Sequence, residues 1–212
     1  MFSIIHGIND IKDALSVADL GADCLGFSLD ELNLEQINSI ISQLPRDTTS
    51  IVTTHAYQVD DLEDQISHLQ CQIIHLGTHP DKLSPKTVYR LKNEFSHFKF
   101  AQIIPVIDRY SLEIARRYEN IADYIFLDSF NIQSRRLGVT GETHDWSISA
   151  EIVRSVSTPV ILAGGLGPEN ITAAIKTVHP WGVATKTRTD LPDGSGKDLD
   201  KVRSFLSQTK NI

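Results

Sequence analysis

The sequence predicts a single (β/α)8 barrel, in which eight parallel strands each precede a helix. Short apolar runs alternate with amphipathic segments along all 212 residues, and there are eight runs of each kind. A doubly wound open sheet would use fewer strands or a longer chain. No long linker or low-complexity tract divides the chain. We therefore expect residues 1–212 to form one domain.

The predicted strands are short runs rich in apolar and β-branched residues. They cover residues 3–7, 24–29, 50–55, 72–77, 100–106, 123–128, 159–165 and 182–187. Between them, apolar residues recur three or four positions apart, which is the spacing of one helical face. This pattern predicts helices within 11–18, 34–44, 59–69, 88–95, 112–115, 148–156, 171–178 and 199–206. The polar, glycine-rich segment 190–197 is predicted to be the loop after the eighth strand.

Composition excludes several classes of protein. The chain is 41% hydrophobic and 22% charged, values typical of a soluble globular protein. A net charge of −7 with scattered Lys and Arg argues against binding to nucleic acid. No apolar run approaches the roughly 20 residues that cross a bilayer. Two cysteines, Cys24 and Cys71, make no disulfide framework, and the N-terminus has no signal-peptide pattern, so we expect a cytoplasmic protein.

Residues 160–171 contain the most informative local pattern. An apolar strand leads into Gly164 and Gly165, then a Gly-Pro-Glu-Asn turn, and then a helix that begins near Asn170. Glycines let the backbone approach a ligand closely, and a helix N-terminus presents unpaired N–H groups. Barrels often bind phosphate after the seventh strand. The pattern predicts a phosphate site, although a plain strand–turn–helix would also account for it.

Other candidate residues lie at the predicted carboxyl ends of the strands, where barrel enzymes place their active sites. Asp128 follows an apolar strand and is either a general acid or base or the cap of the next turn. His6 ends the first strand and is either a base or a packed histidine. The remaining candidates are Ser28, His55, His75 and residues 186–188.

Five motifs in the correct order resemble the phosphoribosylanthranilate isomerase family over nearly the whole chain. They are Ile-Ile-His-Gly-Ile at 4–8 with Gly-Ala-Asp-Cys-Leu-Gly-Phe at 21–27, Phe-Leu-Asp-Ser at 126–129, Gly-Val-Thr-Gly-Glu-Thr-His-Asp-Trp at 138–146, Leu-Ala-Gly-Gly-Leu-Gly-Pro-Glu-Asn at 162–170, and Asp-Gly with Lys-Asp within 193–198. The resemblance implies a cofactor-free aldose–ketose isomerase of the Amadori type, which is a monomer or a homodimer. Its small phosphorylated substrate would be bound by Gly141, Gly164, Gly165, Lys186, Thr187 and Arg188.

The departures from the family pattern concern the base and the aglycone. The family's general base is a cysteine at the position of His6, while its acid matches Asp128. His6 and Asp128 can each transfer a proton, and a positioned group of this kind increases the reaction rate by about 10²–10⁴-fold. The family's arginine after the second strand, which meets the anthranilate carboxylate, has no counterpart in residues 26–31. We therefore expect a phosphorylated ribosyl substrate whose aglycone is not anthranilate.

Two alternatives remain open from the sequence. His6, His55 and His75 end three predicted strands, and imidazoles with a carboxylate could hold zinc, iron or manganese in a lyase or epimerase of a phosphorylated sugar. No HxH or HExxH spacing supports that hypothesis. The second alternative is a catalytically silent barrel that binds a metabolite or a partner protein.

Overall fold

The computed structural model describes residues 1–131, 136–138 and 141–210 and confirms the barrel. The strands are β1 (Phe2–His6), β2 (Cys24–Ser28), β3 (Thr49–Thr54), β4 (Ile73–Leu76), β5 (Lys99–Val106), β6 (Tyr124–Asn131), β7 (Arg136–Leu137), β8 (Val160–Leu162) and β9 (Gly182–Thr185). All except β7 are parallel and follow the order β5-β4-β3-β2-β1-β9-β8-β6, which closes because β5 also pairs with β6. Because β1 pairs with β9, the two ends of the chain meet in one sheet. We propose that the chain is one domain.

The described part of the chain has eight α-helices, of which seven lie between strands and the last follows β9. They are α1 (Ile11–Asp19), α2 (Leu34–Ile41), α3 (Val59–Ser67), α4 (Pro85–Glu94), α5 (Tyr110–Tyr118), α6 (Trp146–Ser155), α7 (Ile171–Val178) and α8 (Leu199–Lys210). Local sequence determines where several of the helices begin. Asp10 accepts a hydrogen bond from the first turn of α1, and Asn33 and Gln36 form a reciprocal capping box at α2. No described helix is long and apolar enough to cross a membrane.

Two local predictions need correction, and a third lies partly outside the described residues. Strand β6 continues to Asn131, so Asp128 lies inside the strand rather than at its end, and the extension pairs with β7 in a hairpin that the apolar pattern does not reveal. Strand β8 ends at Leu162, so Gly164 and Gly165 belong to the following loop. Of the predicted motif at 138–146, Val139 and Thr140 lie outside the described residues.

The alternation of side chains along the strands divides the interior into two regions. The larger apolar cluster lies between the sheet and the helices. A smaller one fills the barrel itself and consists of Ile4, Cys24, Ile51, Ile73, Ala101, Phe126, Ile161, Ala163 and Ala184. Every second residue of a strand faces the same side. The residue two positions after each of these apolar strand residues therefore also faces inward, nearer the carboxyl end of the strand. Those positions include His6, Thr53, His75 and Asp128.

Candidate active site

A cavity of about 590 Å³ opens at the carboxyl ends of the strands. Its size is that of a pocket for a small organic ligand. The lining contains every candidate catalytic, substrate-binding or metal-binding residue predicted from the sequence, namely His6, His55, His75, Asp128, Gly141, Gly164, Gly165, Lys186, Thr187 and Arg188. The fold therefore brings the predicted residues together around one space.

His6 is the last residue of β1, and its ring occupies space that a glycine leaves free. A Cβ atom at Gly26 would lie 2.1 Å from Nδ1 of His6, far inside van der Waals contact. Nε2 of His6 is buried and has no hydrogen-bond partner among the described residues. Burial, with the charges of Lys197 and Lys186, lowers the pKa of His6 to about 3. The imidazole is therefore neutral at pH 7 and keeps a free lone pair.

The surroundings of Asp128 favour its protonated form, whereas those of His6 favour its unprotonated form. Oδ1 of Asp128 accepts a hydrogen bond from the Ser129 amide at 2.7 Å, and the side chain is buried. Burial raises the pKa of Asp128 to about 7, so a substantial fraction of this carboxyl group keeps its proton at neutral pH. Gly138 makes room for the group, because a Cβ there would lie 2.8 Å from Oδ2 of Asp128.

The loop after β8 brings bare backbone to the cavity. Gly164 and Gly165 both have positive φ, 82° and 59°, and a Cβ at Gly165 would lie 2.6 Å from the carbonyl carbon of Glu142. The side chain of Asn170 holds the loop by donating to the Gly165 carbonyl at 2.8 Å and accepting from the Gly167 amide at 2.9 Å. The lining reaches Leu166 but not the first turn of α7. The glycine backbone faces the cavity, and a contribution of that helix N-terminus to phosphate binding stays a prediction.

Residues after β9 complete this side of the cavity. The guanidinium group of Arg188 donates to the Gly141 carbonyl at 3.1 Å and pairs with Glu169. Thr187 lies beside Gly141, since a Cβ atom added at Gly141 would be 3.6 Å from Cγ2 of Thr187. Arg188 thus ties the loop before α6 to the loop before α7.

Another part of the cavity mouth is acidic, which the sequence analysis missed. Asp30 and Glu31, in the loop after β2, line the cavity. Nδ1 of His55 lies 2.8 Å from Asp30, and Nζ of Lys186 lies 3.0 Å from Glu31 and 3.9 Å from Asp190. Lys186 is therefore already paired with carboxylates.

The three histidines of the metal hypothesis share the cavity without forming a coordination site. The rings of His6 and His75 are 5.9 Å apart between centroids, and His55 is paired with Asp30. Among the residues that the structure describes, no group of three or more His, Cys, Asp or Glu side chains is arranged to hold a metal ion. The geometry gives the metal-dependent alternative no support.

Comparisons with known proteins give the family. The family model described as N-(5′-phosphoribosyl)anthranilate (PRA) isomerase matches residues 4–208. The chain belongs to the PRA isomerase family. N-(5′-phosphoribosyl)anthranilate isomerase 2 of Methanosarcina mazei is 33% identical, over 98% of this chain and 93% of that protein.

Solved structures of the same family share the fold. PRA isomerase from Thermotoga maritima has a TM-score of 0.84 at 22% identity, over 99% of this chain and 98% of that chain. A PRA isomerase solved in complex with reduced 1-(o-carboxyphenylamino)-1-deoxyribulose 5-phosphate has a TM-score of 0.81 at 22% identity, with the same coverage. The chain is thus an enzyme of an isomerase family, and the alternative of a catalytically silent barrel is not supported.

The contact between Gly26 and His6 gives a test of the site's packing. Gly26→Ala should destabilise the protein by about 1–3 kcal/mol, because the added methyl group overlaps the His6 ring. In the His6→Ala background the ring is absent, so the same change should cost clearly less. Urea unfolding of the two single variants and the double variant measures this coupling. Equal costs in the two backgrounds would contradict the packing described here.

Proposed function

We propose that this protein catalyses an Amadori-type isomerisation of an N-(5′-phosphoribosyl) amine, with Asp128 as the general acid and His6 as the general base. The observation that carries the proposal is the opposite protonation bias of two buried groups in one cavity. Burial favours the protonated form of Asp128 and the neutral form of His6. One group is therefore ready to give a proton and the other to take one.

The proposed reaction uses each group once. Asp128 donates its proton to the ribose ring oxygen, the bond from C1 to that oxygen breaks, and the nitrogen lone pair forms a C1=N bond. His6 then removes the proton from C2, and the electrons of that C–H bond form C1=C2 while the C1=N pair returns to nitrogen. The resulting enaminol becomes the ketone when C1 gains a proton and the C2 hydroxyl loses one.

The 5′-phosphate is proposed to bind at the side of the cavity formed by Gly141, Gly164, Gly165, Lys186, Thr187 and Arg188. Backbone with no Cβ atoms lets phosphate oxygens approach the amides, and Arg188 adds a positive charge next to them. Cytoplasmic location and a monomeric or homodimeric state remain predictions.

Anthranilate is the first candidate for the aglycone, since the relatives are named for it. The expectation of a different aglycone gains no support from the comparisons. One observation keeps it as a second candidate: the loop after β2 presents Asp30 and Glu31 to the cavity, and Lys186 is paired with Glu31. A substrate carboxylate near this loop would meet the negative charges of Asp30 and Glu31. An aglycone without a carboxylate would not be repelled by them.

Kinetics of two variants test the acid and the base. His6→Ala and Asp128→Asn should each lower kcat by about 10²-fold or more, because each removes a proton-transfer group. In the parent enzyme kcat/KM should fall as pH rises above about 7, since Asp128 then loses the proton that it must donate. His6 stays neutral until about pH 3, so no loss from its protonation is expected between pH 5 and 7. Parent rates in both variants with a turned-over substrate would refute the assignment.

A charge substitution tests the phosphate site better than a change at Gly165, where any Cβ would meet the backbone of Glu142. Thr187→Asp should weaken binding of ribose 5-phosphate at least about tenfold, because it places like charge beside the phosphate. Thr187→Val has nearly the same shape without the charge and should bind normally. Titration calorimetry measures both. If Thr187→Asp binds as tightly as Thr187→Val, the phosphate lies elsewhere.

The two aglycone candidates are separated by two substrates that differ in a single carboxylate, N-(5′-phosphoribosyl)anthranilate and N-(5′-phosphoribosyl)aniline. If anthranilate is the aglycone, the first should react with the higher kcat/KM, and Glu31→Gln should lower its KM more than that of the aniline compound, because it removes a negative charge near the carboxylate. Glu35→Gln removes the same charge from an exposed position of α2 and serves as the control. A higher kcat/KM for the aniline compound, with no gain for anthranilate in Glu31→Gln, would favour the second candidate.

A further inference from the structure

The cavity contains a second buried imidazole that the proposed proton transfers do not use. His75 lies on β4, is 4% exposed, and its ring centroid is 5.9 Å from that of His6. The ring also packs against Phe126, with centroids 4.2 Å apart. Its Nε2, the ring nitrogen farthest from the strand, is buried and has no hydrogen-bond partner among the described residues. A buried polar atom without a partner costs stability, so a hydrogen bond with a bound molecule at this atom would be favourable.

The neighbouring strand bears on which ring nitrogen carries the proton. Oγ1 of Thr53 lies 3.1 Å from Nδ1 of His75. A hydroxyl can donate or accept, and in the arrangement in which Thr53 donates to Nδ1 the proton of the neutral ring is on Nε2. We assign this tautomer, in which Nε2–H is a hydrogen-bond donor.

The charge state of His75 follows from its surroundings. Burial, followed by the proximity of His6 and His55, holds the pKa of His75 well below its usual range. The ring is therefore a neutral donor near neutral pH. Phe126 on one side and Thr53 on the other hold it in place, so its orientation is fixed before a substrate enters.

We propose that Nε2–H of His75 donates a hydrogen bond to the C2 hydroxyl oxygen of the ribosyl group and so directs the C2–H bond toward His6. The inference rests on the proposed function and adds a substrate contact to it. Two neighbouring imidazoles would then have different tasks, one binding the oxygen on C2 and the other removing the proton from the same carbon. Orientation of this kind contributes to rate because it holds the reacting atoms close to the geometry of attack.

Two substitutions of His75 separate its donor from its packing. A glutamine amide also carries N–H donors. His75→Gln is therefore the conservative variant, whereas His75→Leu keeps an apolar side chain against Phe126 and removes the donor.

The experiment compares two sugars that differ only at C2, ribose 5-phosphate and 2-deoxyribose 5-phosphate. Calorimetric titration of the full-length parent protein should give about 3- to 10-fold tighter binding of ribose 5-phosphate, the size of one net hydrogen bond. His75→Leu should lose this preference, and His75→Gln should keep part of it. Thr53→Val should reduce it, since the ring then lacks the bond that fixes its tautomer. Thr54→Val, whose hydroxyl instead bonds to Gln65, should leave it unchanged.

The outcomes separate the inference from the function on which it rests. Equal affinity of the parent protein for the two sugars, or an undiminished preference in His75→Leu, would overturn the role of His75 while leaving the phosphate site and the acid–base pair intact. Failure of the parent protein to bind either sugar phosphate would overturn both. A matching kinetic result is expected with a C2-deuterated phosphoribosyl substrate: the isotope effect on kcat/KM should rise in His75→Leu, because abstraction of the C2 proton becomes slower. A merely structural role would leave that isotope effect unchanged.

Discussion

The exclusion of water from the layer just above the barrel's apolar interior determines the chemistry of this site. Strand alternation places His6, His75 and Asp128 two positions beyond inward-facing apolar residues. In that layer the charged form of each group is disfavoured, so the imidazoles are neutral and the carboxyl group retains its proton up to about pH 7. A base and an acid therefore arise from one environment, without an ion pair between them.

This arrangement needs space, and three glycines supply it. A Cβ atom would lie 2.1 Å from His6 at Gly26, 2.7 Å from His55 at Gly77 and 2.8 Å from Asp128 at Gly138. Each distance is too short for a side chain, so each polar group occupies volume that a neighbouring glycine leaves free. The glycines weaken their own segments through backbone entropy. The glycines thus lower local stability but allow close packing around the reactive groups.

The sequence predicts the fold well because apolar periodicity is a local property of the chain. All the predicted strands and helices are present in the structure, with their ends displaced by a few residues. The candidate site residues at the ends of strands could be predicted from strand order alone, because the carboxyl ends of all strands meet at one end of a barrel. Asp30 and Glu31 were missed because they lie in a loop whose sequence has no periodic pattern. Thr53 could have been found, since it follows inward-facing Ile51 by two positions.

The same exclusion of water explains why histidine suits the position that the family pattern gives to cysteine. Burial raises the pKa of a thiol, as at Cys71, where it reaches about 12, and so disfavours the thiolate form that acts as a base. Burial acts on imidazole in the opposite sense and produces the neutral, proton-accepting form. The proton affinity of His6 is low because the ring is buried and because Lys197 and Lys186 are near. A bound phosphate would offset those charges, so His6 would become a stronger base when the substrate is present.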